Sequence, residues 1–164
     1  MPAHSLPLML VRHAVAEDEH PLGDEARGLT TEGRAAFRQH ARKLARLTPM
    51  TGILTSPLVR AVQTAEILAE AFGLAQVEVH RALLPRANAH KRIVELALEV
   101  GPGWALVGHN PGMALAGALA LGEELPDKLR KGAVLALMPS GKRLTLGWLA
   151  APGRSVLRPE SPRS

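Results

Sequence analysis

The chain has 164 residues, 46% hydrophobic and 21% charged, with seven histidines and no cysteine. That length supports one domain with a sizeable core, and the missing cysteine excludes disulfides, thiolate metal sites and thiol nucleophiles. The formal net charge of +5 draws partly on residues 151–164, which hold three arginines against one glutamate; with two tryptophans, two phenylalanines and no tyrosine to stack on bases, nucleic-acid binding is not expected.

No apolar run is long enough to span a bilayer, and Leu6 to Val11 is too short for a signal-peptide core, so a cytoplasmic protein without a membrane partner is expected. The first element is the apolar run that ends in Leu10-Val11-Arg12-His13-Ala14. It reads as a buried β-strand that delivers Arg12 and His13 at its carboxyl end, where open α/β sheets bind ligands. A polar loop from Ala14 to Gly28 follows, with Pro21 and Gly23 and the carboxylates Glu17, Asp18 and Asp24. Thr30 or Thr31 then caps a helix running to about Leu47, with Phe37, Ala41 and Leu44 on its apolar face.

The short strand Ile53-Leu54 leads into Ser56 as cap and Pro57 as first helical residue, which places Arg60 one turn inside a helix. That helix buries Leu58, Val62, Ala65, Ala69 and Phe72 and stops at Gly73. A strand from Gln76 to Val79, which carries Glu78, precedes a helix with Ile93, Leu96, Ala97 and Val100. The Trp104–Gly108 strand then ends in His109, with Asn110 and Pro111 opening a helix to Leu121, and Gly108 allows close approach of a ligand. Ala133–Met138 and Leu144–Leu149 form a hairpin about Pro139–Lys142. The pattern predicts an α/β three-layer sandwich, a mainly parallel sheet with helices on both faces and an antiparallel C-terminal edge. It occupies one domain over residues 1–150, with a flexible tail over 151–164.

Three strand ends thus each deliver a cationic or imidazole side chain. A neutral histidine is a nucleophile, and arginine offers a permanently charged fork of donors matched to phosphate oxygens, so Arg12 and His13 can hold and attack a phosphoryl group. The side chain of Arg60 leans toward its helix N-terminus, where anions bind. His13 and His109 as a metal pair fit poorly, since no carboxylate falls at ligand spacing and two arginines repel a cation; neither metal nor cofactor is expected. His4, His20, His40, His80 and His90 match no motif and are read as surface or helix-face residues.

Arg12-His13, the Ser-Pro-x-x-Arg-Ala-x-Gln-Thr-Ala pattern around Arg60, Gly108-His109, and Arg27-Gly28-Leu29-Thr30-Thr31-Glu32-Gly33 occur in an order that resembles the histidine phosphatase superfamily, the phosphoglycerate mutase-like proteins. Within it the chain is most similar to the short phosphohistidine phosphatases of the SixA type. The resemblance implies a covalent mechanism in which His13 takes the phosphoryl group and water then releases it, with Arg12, Arg60 and, if protonated, His109 neutralising charge on the equatorial oxygens. It also implies a phosphate contact from Arg27, and Gln63 is a candidate substrate contact. Ala14 stands where much of the superfamily has glycine, a change of one methyl group.

No carboxylate stands out as the proton donor of the larger members; Glu17, Asp18, Asp24 and Glu78 are the candidates. A labile phosphoramidate needs that acid least, and the short segment between Leu83 and Ile93 leaves no room for a large lid. Both favour phosphohistidine on a protein, such as a phosphotransfer or phosphocarrier protein, as substrate. The alternatives are a phosphatase of sugar or nucleotide phosphates and a non-catalytic phosphate-binding module.

Overall fold

The computed structural model describes residues 6–160; His4 and the ends of the chain at 1–5 and 161–164 lie outside the described residues. Strands β1 (Leu8–Arg12), β2 (Gly52–Thr55), β3 (Glu78–Val79), β4 (Trp104–Gly108), β5 (Val134–Ser140) and β6 (Arg143–Ala150) form one sheet in the order β3-β2-β4-β1-β5-β6. The first four run parallel, and β5 and β6 add the antiparallel edge. This is the α/β sandwich that the alternation of elements predicts.

Four helices cover the sheet: α1 (Thr31–Leu44), α2 (Val59–Phe72), α3 (Ala89–Val100) and α4 (Gly112–Leu121). The two-residue period of the strands sorts their side chains between two cores. Met9, Val11, Ala105 and Val107 pack with Phe37, Ala41, Leu44, Ala61, Ala65 and Leu68 of α1 and α2. Leu8, Leu10 and Leu106 pack on the opposite face with Ile93, Leu96, Met113 and Ala116 of α3 and α4. Because β1 and β4 are buried on both faces, they read in the sequence as unbroken apolar runs.

Helix boundaries follow local chemistry. Thr30 is the N-cap of α1, its Oγ1 accepting from the Gly33 N–H at 2.9 Å, with Glu32 in the first turn and Arg42 and Lys43 in the last to oppose the helix dipole. The helix ends at Leu44 rather than Leu47: Arg46 and Leu47 bond three residues back in a tighter turn ahead of Pro49, which disfavours helix in the residue before it. α2 starts at Val59 because Leu58 is extended; Ser56 Oγ accepts from the Leu58 N–H at 3.3 Å, so Ser56 turns the chain three residues ahead of the first helical residue. Its buried arc, with Ala61, Thr64, Ala65 and Leu68 inside, lies to one side of the arc expected from sequence, and Val62 and Phe72 are only half-buried. β3 is limited to two exposed edge residues.

The tail departs from expectation. Ala151 is buried, Val156 packs against the α1/α2 core, and Leu157 pairs with Leu149 through two 2.9 Å backbone hydrogen bonds. Two apolar side chains are enough to return a Pro- and Arg-rich segment to the sheet edge as far as Leu157.

Candidate active site

Neighbouring strands β2, β4 and β1 all point their carboxyl ends the same way, and each ends in a functional residue: Ser56 follows β2, His109 follows β4, and Arg12 and His13 close β1. The His13 N–H donates to the Gly108 carbonyl at 3.0 Å, and the Ser56 N–H to the Val107 carbonyl at 3.0 Å. The sheet's own hydrogen bonding therefore continues to the candidate residues. The two imidazoles face each other with centroids 5.2 Å apart.

His13 is 7% exposed, and its Nδ1 lies 2.7 Å from the Ala14 carbonyl oxygen. A carbonyl only accepts, so Nδ1 carries the proton and the lone pair sits on Nε2. Burial, then the charges of Arg60, Arg12 and Arg27, outweigh that hydrogen bond and hold the His13 pKa down at about 4. The ring is neutral at pH 7. The loop behind it is fixed by Thr64 of α2, whose Oγ1 accepts from the Ala14 N–H at 3.0 Å and donates to the Arg60 carbonyl at 2.8 Å.

His109 Nε2 lies 2.8 Å from Ser56 Oγ. That network is satisfied when the hydroxyl donates to Nε2, which leaves the proton on Nδ1. Nδ1 is buried without a partner among the described residues, as are Nε of Arg12 and Nε of Arg60. Buried donors are nearly always paired; three unpaired ones beside a neutral imidazole are the hydrogen-bonding complement of an oxyanion. Burial first, then His13 and Arg60, depress the His109 pKa to about 3, so at pH 7 it is a neutral donor and does not meet the condition of protonation under which it would neutralise charge. A Cβ at Gly108 would lie 2.8 Å from Met113 Sδ, so a larger residue there would have to displace the buried Met113 side chain.

Arg60 is 5% exposed, and its Nη1 and Nη2 reach the carbonyl oxygen and Oδ2 of Asp24 at 3.1 and 3.3 Å. Asp24 Oδ1 accepts from Arg27 Nε at 2.9 Å, and Arg27 Nη1 donates to the Glu17 carbonyl at 2.7 Å. One carboxylate thus joins the site arginine to Arg27. The hydrogen bond from Arg27, followed by the charge of Arg60, holds Asp24 below the usual carboxylate range, so it is ionised and a poor proton donor at neutral pH.

The other proposed acids are placed elsewhere. Glu17 is exposed, and its Oε1 accepts from the Gly28 N–H at 3.3 Å. Asp18 is exposed and makes no side-chain hydrogen bond among the described residues. Glu78 sits on the far edge strand, three strand spacings or roughly 14 Å from β1, and makes no hydrogen bond or ion pair with a site residue among the described residues. Gln63 turns toward the loop, its Oε1 accepting from the Leu29 N–H at 2.7 Å, and so braces the segment that carries Arg27.

Two features of the site were absent from the sequence reading. Ser56 is a partner of His109 as well as a turn residue. The Leu129 carbonyl, far along the chain, accepts from Arg12 Nη1 at 3.2 Å and from Asn110 Nδ2 at 2.9 Å. On the other side of His109, Leu83, Leu84, Pro85, Arg86 and Ile93 line an apolar pocket of about 240 Å³ that contains no carboxylate. Among the described residues no three His, Asp or Glu side chains cluster as a metal site, and no helix is long and apolar enough to cross a membrane.

Residues 8–87 match the family model of the histidine phosphatase superfamily, branch 1. An uncharacterized protein of Picosynechococcus sp. is 35% identical over 144 residues, covering 84% of this chain and 87% of its own. The chain is similar to a candidate phosphohistidine phosphatase SixA from Agrobacterium tumefaciens (26% identity, TM-score 0.77, covering 92% of this chain and all of that one) and to the protein histidine phosphatase SixA solved with tungstate (24%, 0.75, covering 88% and 96%). The fold also extends to a mycobacterial glucosyl-3-phosphoglycerate phosphatase solved with VO3 (19%, 0.68, covering 92% and 100%). With the Arg-His pair, the Ser-Pro-x-x-Arg segment and Gly-His brought together at three adjacent strand ends, the chain belongs to the histidine phosphatase superfamily, and its fold is that of the SixA structures.

Proposed function

We propose that this protein removes phosphate from phosphohistidine on a protein. The observation that carries the reading is the pairing of a nucleophile with an oxyanion cradle: neutral His13 with its proton held on Nδ1, beside the unpaired donors of Arg12, Arg60 and His109. In the first step His13 Nε2 bonds to phosphorus while the substrate's P–N bond breaks, and the leaving imidazole takes a proton. In the second, water breaks the new P–N bond and yields inorganic phosphate and neutral His13. Arg12, Arg60 and His109 hold the equatorial oxygens, each donor worth about 3 kcal/mol in the transition state. Arg27 adds positive charge from the loop and acts through Asp24.

The placement of the candidate acids supports this choice of substrate. An alkoxide leaving group needs a proton from a positioned acid, but Asp24 is held ionised, Glu17 accepts from the Gly28 N–H on the exposed loop, Asp18 is exposed, and Glu78 sits on the far edge strand. Imidazole is a basic leaving group that becomes protonated near neutral pH by itself. This favours a phosphoramidate over the phosphate esters of sugars and nucleotides.

The test is phosphate release from a histidine-phosphorylated phosphotransfer protein beside a panel of sugar and nucleotide phosphates, for wild type and His13→Ala. The expected result is preferential release from phosphohistidine, lost in His13→Ala, with an acid-labile phosphoenzyme trapped on the wild type alone. Turnover of the small esters only would make this a metabolite phosphatase, and phosphate binding without turnover of anything would make it a binding module.

A further inference from the structure

The largest cavity described lies beside the reacting residues. It measures about 690 Å³, and its lining includes five cations, Arg12, Lys128, Arg130, Lys131 and Arg154, with no carboxylate. Asp127, just outside, is 3.5 Å from Arg130 Nε, whereas Lys128, Lys131 and Arg154 form no ion pair among the described residues. The formal net charge of the whole chain is +5, so this one cavity, even with Asp127 counted, carries most of the protein's excess charge. The sequence hides the cluster because its members come from β1, the segment before β5, and the returning tail.

The cluster is tied to the catalytic strand. Leu129, between two of the cations, is 2% exposed and lends its carbonyl to both Arg12 and Asn110. The Gly132 N–H lies 3.0 Å from both the Arg12 and His13 carbonyls. Lys128, Lys131 and Arg154 are themselves exposed, on flexible stems around an open mouth that also presents Val15, Ala114 and Pro152. A single phosphate is already served by the buried donors at His13. The wide mouth, exposed lysines and interspersed apolar atoms suit a folded surface.

We propose that this cavity docks an acidic face of the phosphoprotein substrate, with Asp or Glu side chains of the partner beside its phosphohistidine. The inference rests on the phosphohistidine-protein reading above and adds the partner's character. Charge complementarity at such a patch acts mainly on encounter and register, so it shows in kcat/KM and its salt dependence. Nucleic acid is the less suitable occupant, because none of the chain's four Trp and Phe side chains lines the cavity to stack on a base.

The experiment compares wild type with Lys128→Glu/Lys131→Glu/Arg154→Glu and with the corresponding Gln variant, on a histidine-phosphorylated phosphotransfer domain of net negative charge and on phosphoramidate itself, at low and at physiological ionic strength. The expected result is a fall in kcat/KM on the phosphoprotein of roughly 10- to 100-fold for the Glu variant, smaller for the Gln variant, with loss of the wild-type salt dependence. Turnover of phosphoramidate stays unchanged and shows that the variants are folded. Unchanged kcat/KM and salt dependence on a phosphoprotein that the wild type does turn over would overturn the docking face alone. A wild type that turns over phosphoramidate but no phosphoprotein would overturn the protein-substrate reading and the docking face with it. Binding of a single-stranded oligonucleotide that disappears in the Glu variant, without any effect on the phosphoprotein, would reassign the cavity to nucleic acid.

Discussion

Asp24 bridges two guanidiniums, one three residues away and one thirty-six, and so competes with phosphate for both. Asp24→Asn is expected to tighten inhibition by vanadate several-fold, since Arg27 and Arg60 lose an internal anion; unchanged or weaker inhibition would mean that the carboxylate's main part is to align them. Arg12, His13 and His109 were legible together in the sequence because each lies at a strand end, and Arg60 because the turn at Ser56-Pro57 puts it in the first turn of α2. The links made by Asp24 and Leu129 were not, since hydrogen bonds across 36 and 117 residues leave no local pattern.

At the scale of elements, the segment from Arg27 to Gly33 joins two helices to the loop behind the nucleophile. Leu29 bonds to Gln63 of α2, the Thr30 N–H donates to the Val15 carbonyl, and Thr30 caps α1. Gly33 completes the join: a Cβ there would overlap the Val15 carbonyl oxygen. Gly33→Ala should therefore cost about 1–3 kcal/mol, read as a thermal midpoint several degrees lower, together with reduced activity as the loop bearing Arg27 is displaced. A midpoint within a degree of wild type would show that α1 shifts without strain. The elements themselves followed from periodicity and turn residues, but their ends did not. Pro49 and the extended Leu58 trim helices whose apolar spacing runs on past them.

Across the whole molecule, three buried histidines are held neutral: His13 and His40 with pKa about 4, and His109 about 3. For His40, burial between α1 and the end of β6 outweighs a hydrogen bond to the Ala150 carbonyl. In the unfolded chain each returns to about 6.5. The unfolded state then binds more protons below pH 6.5, so this stability is complete above that value and is lost as pH falls through the folded values near 4. Denaturant midpoints should decline from pH 6.5 to 4 and then level for this contribution, with His40 alone accounting for on the order of 2 kcal/mol. His40→Leu should flatten part of the decline; an identical pH profile would show that His40 does not contribute. Sequence reasoning placed His40 on a helix face but could not see that the chain after β6 returns to cover it.

The strand ends of the candidate site are held between cores on both faces of the sheet, whereas residues 128–131 reach the same place on a loop anchored by the buried Leu129 and its carbonyl, with Lys128 and Lys131 exposed on either side. Reaction and address are thus written on separable pieces of chain. On the docking proposal above, changes in that loop alter the choice of partner without touching Arg12, His13, Arg60 or His109, and a graft of the loop from one relative to another is expected to carry partner choice with it.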